Sequence, residues 1–193
     1  VKDISAPVIT STAPNKTIDC PAQPIFTAPT ATDACNNAVS IVQVSDNTVG
    51  TSCNYVRTKT WKAVDACGNA SALVSQAITV RDITAPTITA AGANKIIDCP
   101  AQPAFTPPTG NDACSTASIV EVSDQTVGSS CNYTRTKTWK AIDACGNASG
   151  LVSQAITVHD VTPPSLSGEG ADYSLQWCKD IPVFTPPTAT DAC

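Results

Sequence analysis

Apolar positions along the chain fall in short runs broken by Pro, Gly, Asn and Asp, and no stretch sustains a 3.6-residue period. Thr, Val, Ile and aromatic side chains concentrate in those runs, the composition that suits a pleated, half-buried surface. The pattern predicts strands at Val8–Ser11, Lys16–Cys20, Ile25–Thr32, Val39–Ser45, Asn54–Val64 and Leu73–Val80. Fifteen prolines would break most helices. Several short strands per ~80 residues, with turn residues between them, predict an all-β chain of antiparallel immunoglobulin-like β-sandwiches. One strand resists simple alternation. Tyr55, Trp61 and Ala63 share a face with Cys53 and Cys67, yet Arg57 and Lys59 fall on it too. Either a bulge shifts the register, or Arg57 lies over an aromatic ring with its head in water.

The same patterns return. DISAPVIT from Asp3 recurs as DITAPTIT from Asp82 and as DVTPPSLS from Asp160. CNYVRTKTWKAVDACGNASALVSQAITV recurs as CNYTRTKTWKAIDACGNASGLVSQAITV. Roughly three-quarters of aligned positions are identical over a period of about 78–79 residues. The chain therefore reads as repeat 1 (1–81), repeat 2 (82–159) and the first part of repeat 3 (160–193).

Composition narrows the function classes. Eleven basic against sixteen acidic side chains, a net charge of −5, argue against nucleic acid, whose phosphates demand clustered Lys and Arg. No run approaches the ~18–20 apolar residues that span a bilayer, so membrane insertion of this segment is not expected. The chain starts without a signal-like segment or an initiating Met, as a mature product or an excerpt would. Ten cysteines at regular spacing favour disulfides and an extracellular address. Zinc is disfavoured: close CxxC pairs are absent, and the single histidine has no counterpart in the other repeat.

Each full repeat carries four cysteines: Cys20, Cys35, Cys53 and Cys67, then Cys99, Cys114, Cys131 and Cys145. Cys53 and Cys67 bracket one long strand, about 30 Å or more, whereas a disulfide needs Cα atoms within about 7 Å. Cys20 and Cys35 likewise flank a predicted strand. If the second and penultimate strands run in the same direction on opposing sheets, the expected pairs are Cys20–Cys53, Cys35–Cys67, Cys99–Cys131 and Cys114–Cys145. Each would close a loop of ~32 residues, worth about 3–4 kcal/mol in the chain-entropy model. On this scheme Cys178 and Cys193 have no partner within the chain.

The blocks PTATDAC, TWKAVDACGN and SQAITV, followed by DITAP, resemble the hyalin-type (HYR-like) repeat, in its four-cysteine variant. Repeats of that variant occur in tandem in very large surface proteins of Bacteroidota, exported by the type IX system and including gliding-motility and attachment adhesins. The resemblance covers the two complete repeats; the third departs at SGEGADYSLQW and rejoins at FTPPTATDAC. It implies an immunoglobulin-like sandwich, a place on the cell surface, and a role in adhesion or as a stalk. It brings no catalytic motif.

The chemistry candidates are few. His159 stands where repeat 1 has Arg81, and as the only histidine it gives no basis for a triad, so no enzyme is expected. In a sandwich of this type the first strand starts at the end that carries the Asp33 and Asp65 loops. Asp3 then enters near Asp33 and Asp65, and Asp82 near Asp112, Asp143 and Asn147. Two readings stand: oxygen ligands for a hard cation such as Ca2+ at the repeat junctions, or short side chains closing turns, as in DACGN with Gly68 or Gly146 at positive φ. No other cofactor is expected. Asn15, Asn69, Asn132 and Asn147 lie in N-x-S/T sequons.

These features predict a non-catalytic adhesive segment with a semi-rigid stalk, since Pro-containing linkers without Gly/Ser tracts limit bending. Its expected partners are neighbouring repeats, with surface glycans or proteins bound through other regions. Two rivals are a filament subunit whose incomplete repeats complete one another between chains, and an accessory binding module of a secreted enzyme, which would need Trp61 and Trp139 as an exposed platform.

Overall fold

The computed structural model describes residues 2–35, 38–172, 174, 181 and 183–193. Every regular element among them is a strand, as the alternation predicts. The chain forms two compact units. Unit 1 comprises Val1–Ile88, Thr109–Val120 and Ala141–Gly150, and unit 2 comprises Thr89–Pro108, Glu121–Lys140 and Leu151–Cys193. Unit 1 thus holds repeat 1 together with residues 82–88, 109–120 and 141–150 of repeat 2.

In unit 1, repeat 1 supplies β1 (Val8–Ser11), β2 (Lys16–Asp19), β3 (Thr30–Thr32), β4 (Val39–Thr51), β5 (Asn54–Asp65) and β6 (Val74–Arg81). A four-stranded sheet runs in the order β2-β6-β5-β4, and β1 pairs with β3 in a smaller sheet. β4, β5 and β6 are antiparallel, but β2 runs parallel to β6, so the sandwich is mixed rather than antiparallel throughout. Trp61 and Ala63 from β5, with Ile78 and Val80 from β6, are buried, and Phe26 packs on Trp61 with ring centroids 6.3 Å apart. The short strands β7 (Thr87–Ile88) and β9 (Gly110–Asn111) pair antiparallel in the same unit.

The strand expected at Ile25–Thr32 contracts to Thr30–Thr32. Pro24 and Pro29 cannot donate to a ladder, and a buried side chain takes over. Gln76 accepts the Thr27 N–H at 3.1 Å and donates its amide to the Pro14 carbonyl at 3.0 Å. One carboxamide therefore satisfies backbone groups from two proline-interrupted segments at once. β4 runs past the expected Ser45 to Thr51 and turns back at Gly50 (φ +128°), where a Cβ would lie 2.7 Å from Tyr55 Cα. The Arg57 puzzle resolves toward the ring. β5 keeps its register, the bulge lies in β4 between Gln43 and Ser45, and the Arg57 guanidinium sits 5.8 Å from the Phe26 centroid.

Unit 2 contains β8 (Lys95–Asp98), β12 (Val152–His159) and most of β10 (Ala117–Gly128) and β11 (Asn132–Asp143). Their order, β10-β11-β12-β8, repeats that of the first sheet. Trp139, Ile156 and Val158 are buried, and Phe105 lies 6.3 Å from Trp139. Gln154, fully buried, plays the part of Gln76 by accepting from Thr106 N–H and donating to the Ala93 carbonyl, both at 2.8 Å. In repeat 3, β13 (Ser165–Ser167) pairs antiparallel with β14 (Thr188–Thr190).

The cysteines pair otherwise than the sequence suggests. Cys20 joins Cys114, Cys53 joins Cys145, and Cys99 joins Cys193, with Cα separations of 5.9, 5.1 and 6.3 Å. All four expected bonds, Cys20–Cys53, Cys35–Cys67, Cys99–Cys131 and Cys114–Cys145, are therefore corrected: the bonds run between repeats, not within them. The reason lies in the sheet. β2 and β5 are not on opposing sheets but flank β6 in one sheet. Two strand spacings, about 9.5 Å, separate Cys20 from Cys53, beyond the ~7 Å reach of a disulfide. Asp19 lies opposite Arg81 and Arg81 opposite Asn54, so Cys20 and Cys53 leave the sheet at the same end. Cys35, Cys67 and Cys131 are exposed and free, and Cys178 lies outside the described residues.

Candidate functional site

The junction between repeat 1 and repeat 2 lies wholly within unit 1 and is built from two kinds of cysteine. Cys114 and Cys145 sit in Asp-Ala-Cys turns. In each, the cysteine N–H donates to Oδ1 of the aspartate two residues earlier, at 2.8 Å from Asp112 and 2.9 Å from Asp143. A carboxylate that accepts its own backbone two residues on is the usual Asx device for reversing the chain. Cys20 and Cys53 sit instead at the outgoing end of the repeat 1 sheet. The Cys20 N–H donates to the Arg81 carbonyl at 2.8 Å, and the Cys53 carbonyl accepts the Asp82 N–H at 2.9 Å.

Asp82, only 7% exposed, ties the two sides together. Its Oδ1 accepts Thr84 N–H, and its carbonyl accepts Asn147 Nδ2 at 3.4 Å. Its Oδ2 lies 3.1 Å from the sulfur of Cys145. Asp143 is equally engaged. Its Oδ1 accepts the N–H groups of Cys145 and Asn147, and its Oδ2 accepts Asn147 Nδ2. Burial pushes the Asp143 carboxyl up, but the hydrogen bonds from Asn147, Cys145 and Gly146 outweigh it and hold the group below its ordinary value. Gly68 and Gly146 take φ of +90°, as the DACGN turns require.

Asp82 groups with Asp112 and Cys114 and also with Asp143 and Cys145, each set with ligand-type atoms within 4.8 Å. Asp3 groups with Asp33 and Cys35 in the same way, and Asp160 with Asp191 and Cys193. Asp65 meets Asp3 through Asn69, whose Nδ2 donates to Asp65 Oδ2 at 2.8 Å and to the Asp3 carbonyl at 3.3 Å. Of these atoms, the sulfurs of Cys114, Cys145 and Cys193 are committed to disulfides and are not thiolate ligands. The amide nitrogens of Asn69 and Asn147, the acceptor atoms of two sequons, are both donating to carboxylates.

A second polar cluster was not foreseen as a unit. Arg57 forks onto Asp46 at 2.8 and 2.7 Å, and Lys59 reaches both Asp46 and the Phe26 ring. Arg135, Lys137, Asp124 and Phe105 repeat the arrangement, with Glu121 added. The hydrogen bond from Arg135 pulls the Asp124 carboxyl down to about 2. The signal was the R-x-K spacing on one strand face, legible only with the long hairpin partner. His159 closes β12, its carbonyl accepting the Cys99 N–H at 2.8 Å. Trp61 and Trp139 are core residues, so neither forms an exposed platform.

Residues 8–80 match the family described as the HYR-like domain with 4 cysteines. No curated protein matches the chain. Among solved structures, the crystal structure of Drosophila N-cadherin EC1-4 aligns at 14% identity and a TM-score of 0.33, over 86% of this chain and 53% of that one. This chain therefore spans about half the length of that structure. Human protocadherin-24 EC1-2, form II, aligns at 12% identity and a TM-score of 0.35, covering 82% of this chain and 99% of the other. Human mucin-like protocadherin EC1-2 aligns at 8% identity and a TM-score of 0.34, covering 80% and 98%. Among the described residues, no helix is long and apolar enough to cross a membrane.

Proposed function

We propose that this chain is a non-catalytic, extracellular run of adhesion-type repeats whose work is mechanical: it forms a stalk in a large surface protein and transmits load from one repeat to the next through covalent cross-links. The observation that carries the reading is the pair of bonds Cys20–Cys114 and Cys53–Cys145, which fasten consecutive repeats twice. A linker such as Asp82–Pro86 then does not bear tension alone. The match of residues 8–80 to the HYR-like domain supports the adhesion-type assignment, and ten cysteines support an oxidising, extracellular setting. Gliding motility and attachment are the processes such a stalk would serve.

Pulling a single chain by its ends tests this. The shortest covalent path through the oxidised chain uses only residues 1–20, 99–114 and 193. Adding reductant to the extended chain should then release on the order of 500 Å of contour length. Closed loops within each repeat would release about 200 Å, and that result would overturn the reading.

A further inference from the structure

Five Asp-Ala-Cys turns occur in the chain, and in all five the cysteine N–H donates to the aspartate Oδ1, at 2.8–2.9 Å. Three of their cysteines, Cys114, Cys145 and Cys193, are bonded, each to a cysteine 92 or 94 residues earlier that lies outside any such turn. The other two, Cys35 and Cys67, are exposed thiols held in the same geometry. The surroundings match as well. Asp3 groups with Asp33 and Cys35 as Asp82 does with Asp112 and Cys114, and Asn69 bonds Asp65 and the Asp3 carbonyl as Asn147 bonds Asp143 and the Asp82 carbonyl.

We infer that Cys35 and Cys67 form the receiving half of a second two-disulfide junction, and that its occupant is another repeat of this kind, presenting its first and third cysteines as Cys20 and Cys53 do. The pairing is directional: first to second, third to fourth. Cys131, a third-position cysteine left free, is the complementary giving group. The inference rests on the reading above and extends it from one junction to a rule for assembly.

The chemistry balances with a disulfide oxidant such as oxidised glutathione. The Cys67 and Cys131 thiols lose two electrons and two protons and form one S–S bond, while the glutathione disulfide is reduced to two thiols. At Cys35, the thiolate attacks Cys99 and expels Cys193 as a thiol, an exchange with no net oxidation.

The test uses the whole chain as its own probe. It is incubated in glutathione redox buffer, alkylated, and resolved on a non-reducing gel and by peptide mapping. The expected result is a covalent ladder linked by Cys67–Cys131 and by Cys35–Cys99, the third and first cysteines of one repeat. Changing both Cys35→Ser and Cys67→Ser should abolish the ladder and leave Cys20–Cys114 and Cys53–Cys145 in place. Monomers whose Cys35 and Cys67 remain alkylatable would overturn the inference, as would Cys35–Cys67 or like-to-like bonds. Should the internal bonds persist in that case, only this inference falls. Should Cys20–Cys114 and Cys53–Cys145 themselves be missing, the mechanical reading falls with it.

Discussion

At Asp143 both carboxylate oxygens are taken: two backbone N–H groups on Oδ1 and the Asn147 amide on Oδ2. Asp65 repeats this with Cys67 and Asn69. A hard cation needs six or more oxygen ligands, and engaged oxygens of this kind serve the turn first. The turn-closing role of these aspartates predicts that Asp143→Ala lowers Tm by several degrees, because it leaves the amides of Cys145 and Asn147 without their acceptor. It also predicts that neither a chelator nor millimolar Ca2+ moves the Tm of the parent chain. A calcium-dependent rise, followed by differential scanning fluorimetry, would instead make the junction aspartates ligands. At Cys35 the hydrogen bond to Asp3 raises the thiol above its ordinary value, so its thiolate, the form that exchanges, gains population only at higher pH.

At the scale of elements, the hairpin β10–β11 is laced by Arg135 and Lys137 on one strand and by Asp124 and Glu121 on the other. These side chains are partly exposed, and their attraction is screened by salt. The Asp124 carboxyl, lowered to about 2 by Arg135, contributes stability that is present above its unfolded value near 3.9 and lost as pH falls through about 2. The expected outcome is an Asp124 side-chain NMR titration with its midpoint near 2, and a drop in Tm between about pH 4 and pH 2 that Asp124→Asn weakens. A midpoint near the ordinary aspartate value would show that the pair is not formed in solution. In repeat 1, the bulge in β4 and the Gly50 turn let the β4–β5 hairpin run longer than alternation alone suggests. Both depend on backbone geometry that apolar periodicity does not encode. The proline-broken segment at Ile25–Pro29 was misread for the opposite reason: its side chains suit a strand, but its imides cannot join a ladder, and the buried Gln76 that replaces the ladder is distant in sequence.

For the whole molecule, the internal repetition of the sequence and the all-β class were legible. Short-range chemistry sets both: turn residues, alternation, and the Asp-Ala-Cys motif. The cysteine partners were not. Whether Cys20 and Cys53 face each other across a sandwich or stand two strands apart in one sheet depends on the parallel docking of β2 against β6, a non-local choice. A hint lay in the numbers, since pairing within repeats leaves Cys178 and Cys193 over, whereas pairing between repeats gives Cys193 a partner in Cys99. A loop of 92–94 residues also restrains the unfolded chain more than one of ~32, by about 1 kcal/mol per bond in the chain-entropy model.

The most direct measurement is disulfide mapping of the oxidised chain by non-reducing proteolysis and mass spectrometry. The account predicts peptides in which Cys20 is joined to Cys114 and Cys53 to Cys145. Peptides joining Cys20 to Cys53 and Cys114 to Cys145 would close each repeat on itself and contradict the covalent junction on which the mechanical reading depends.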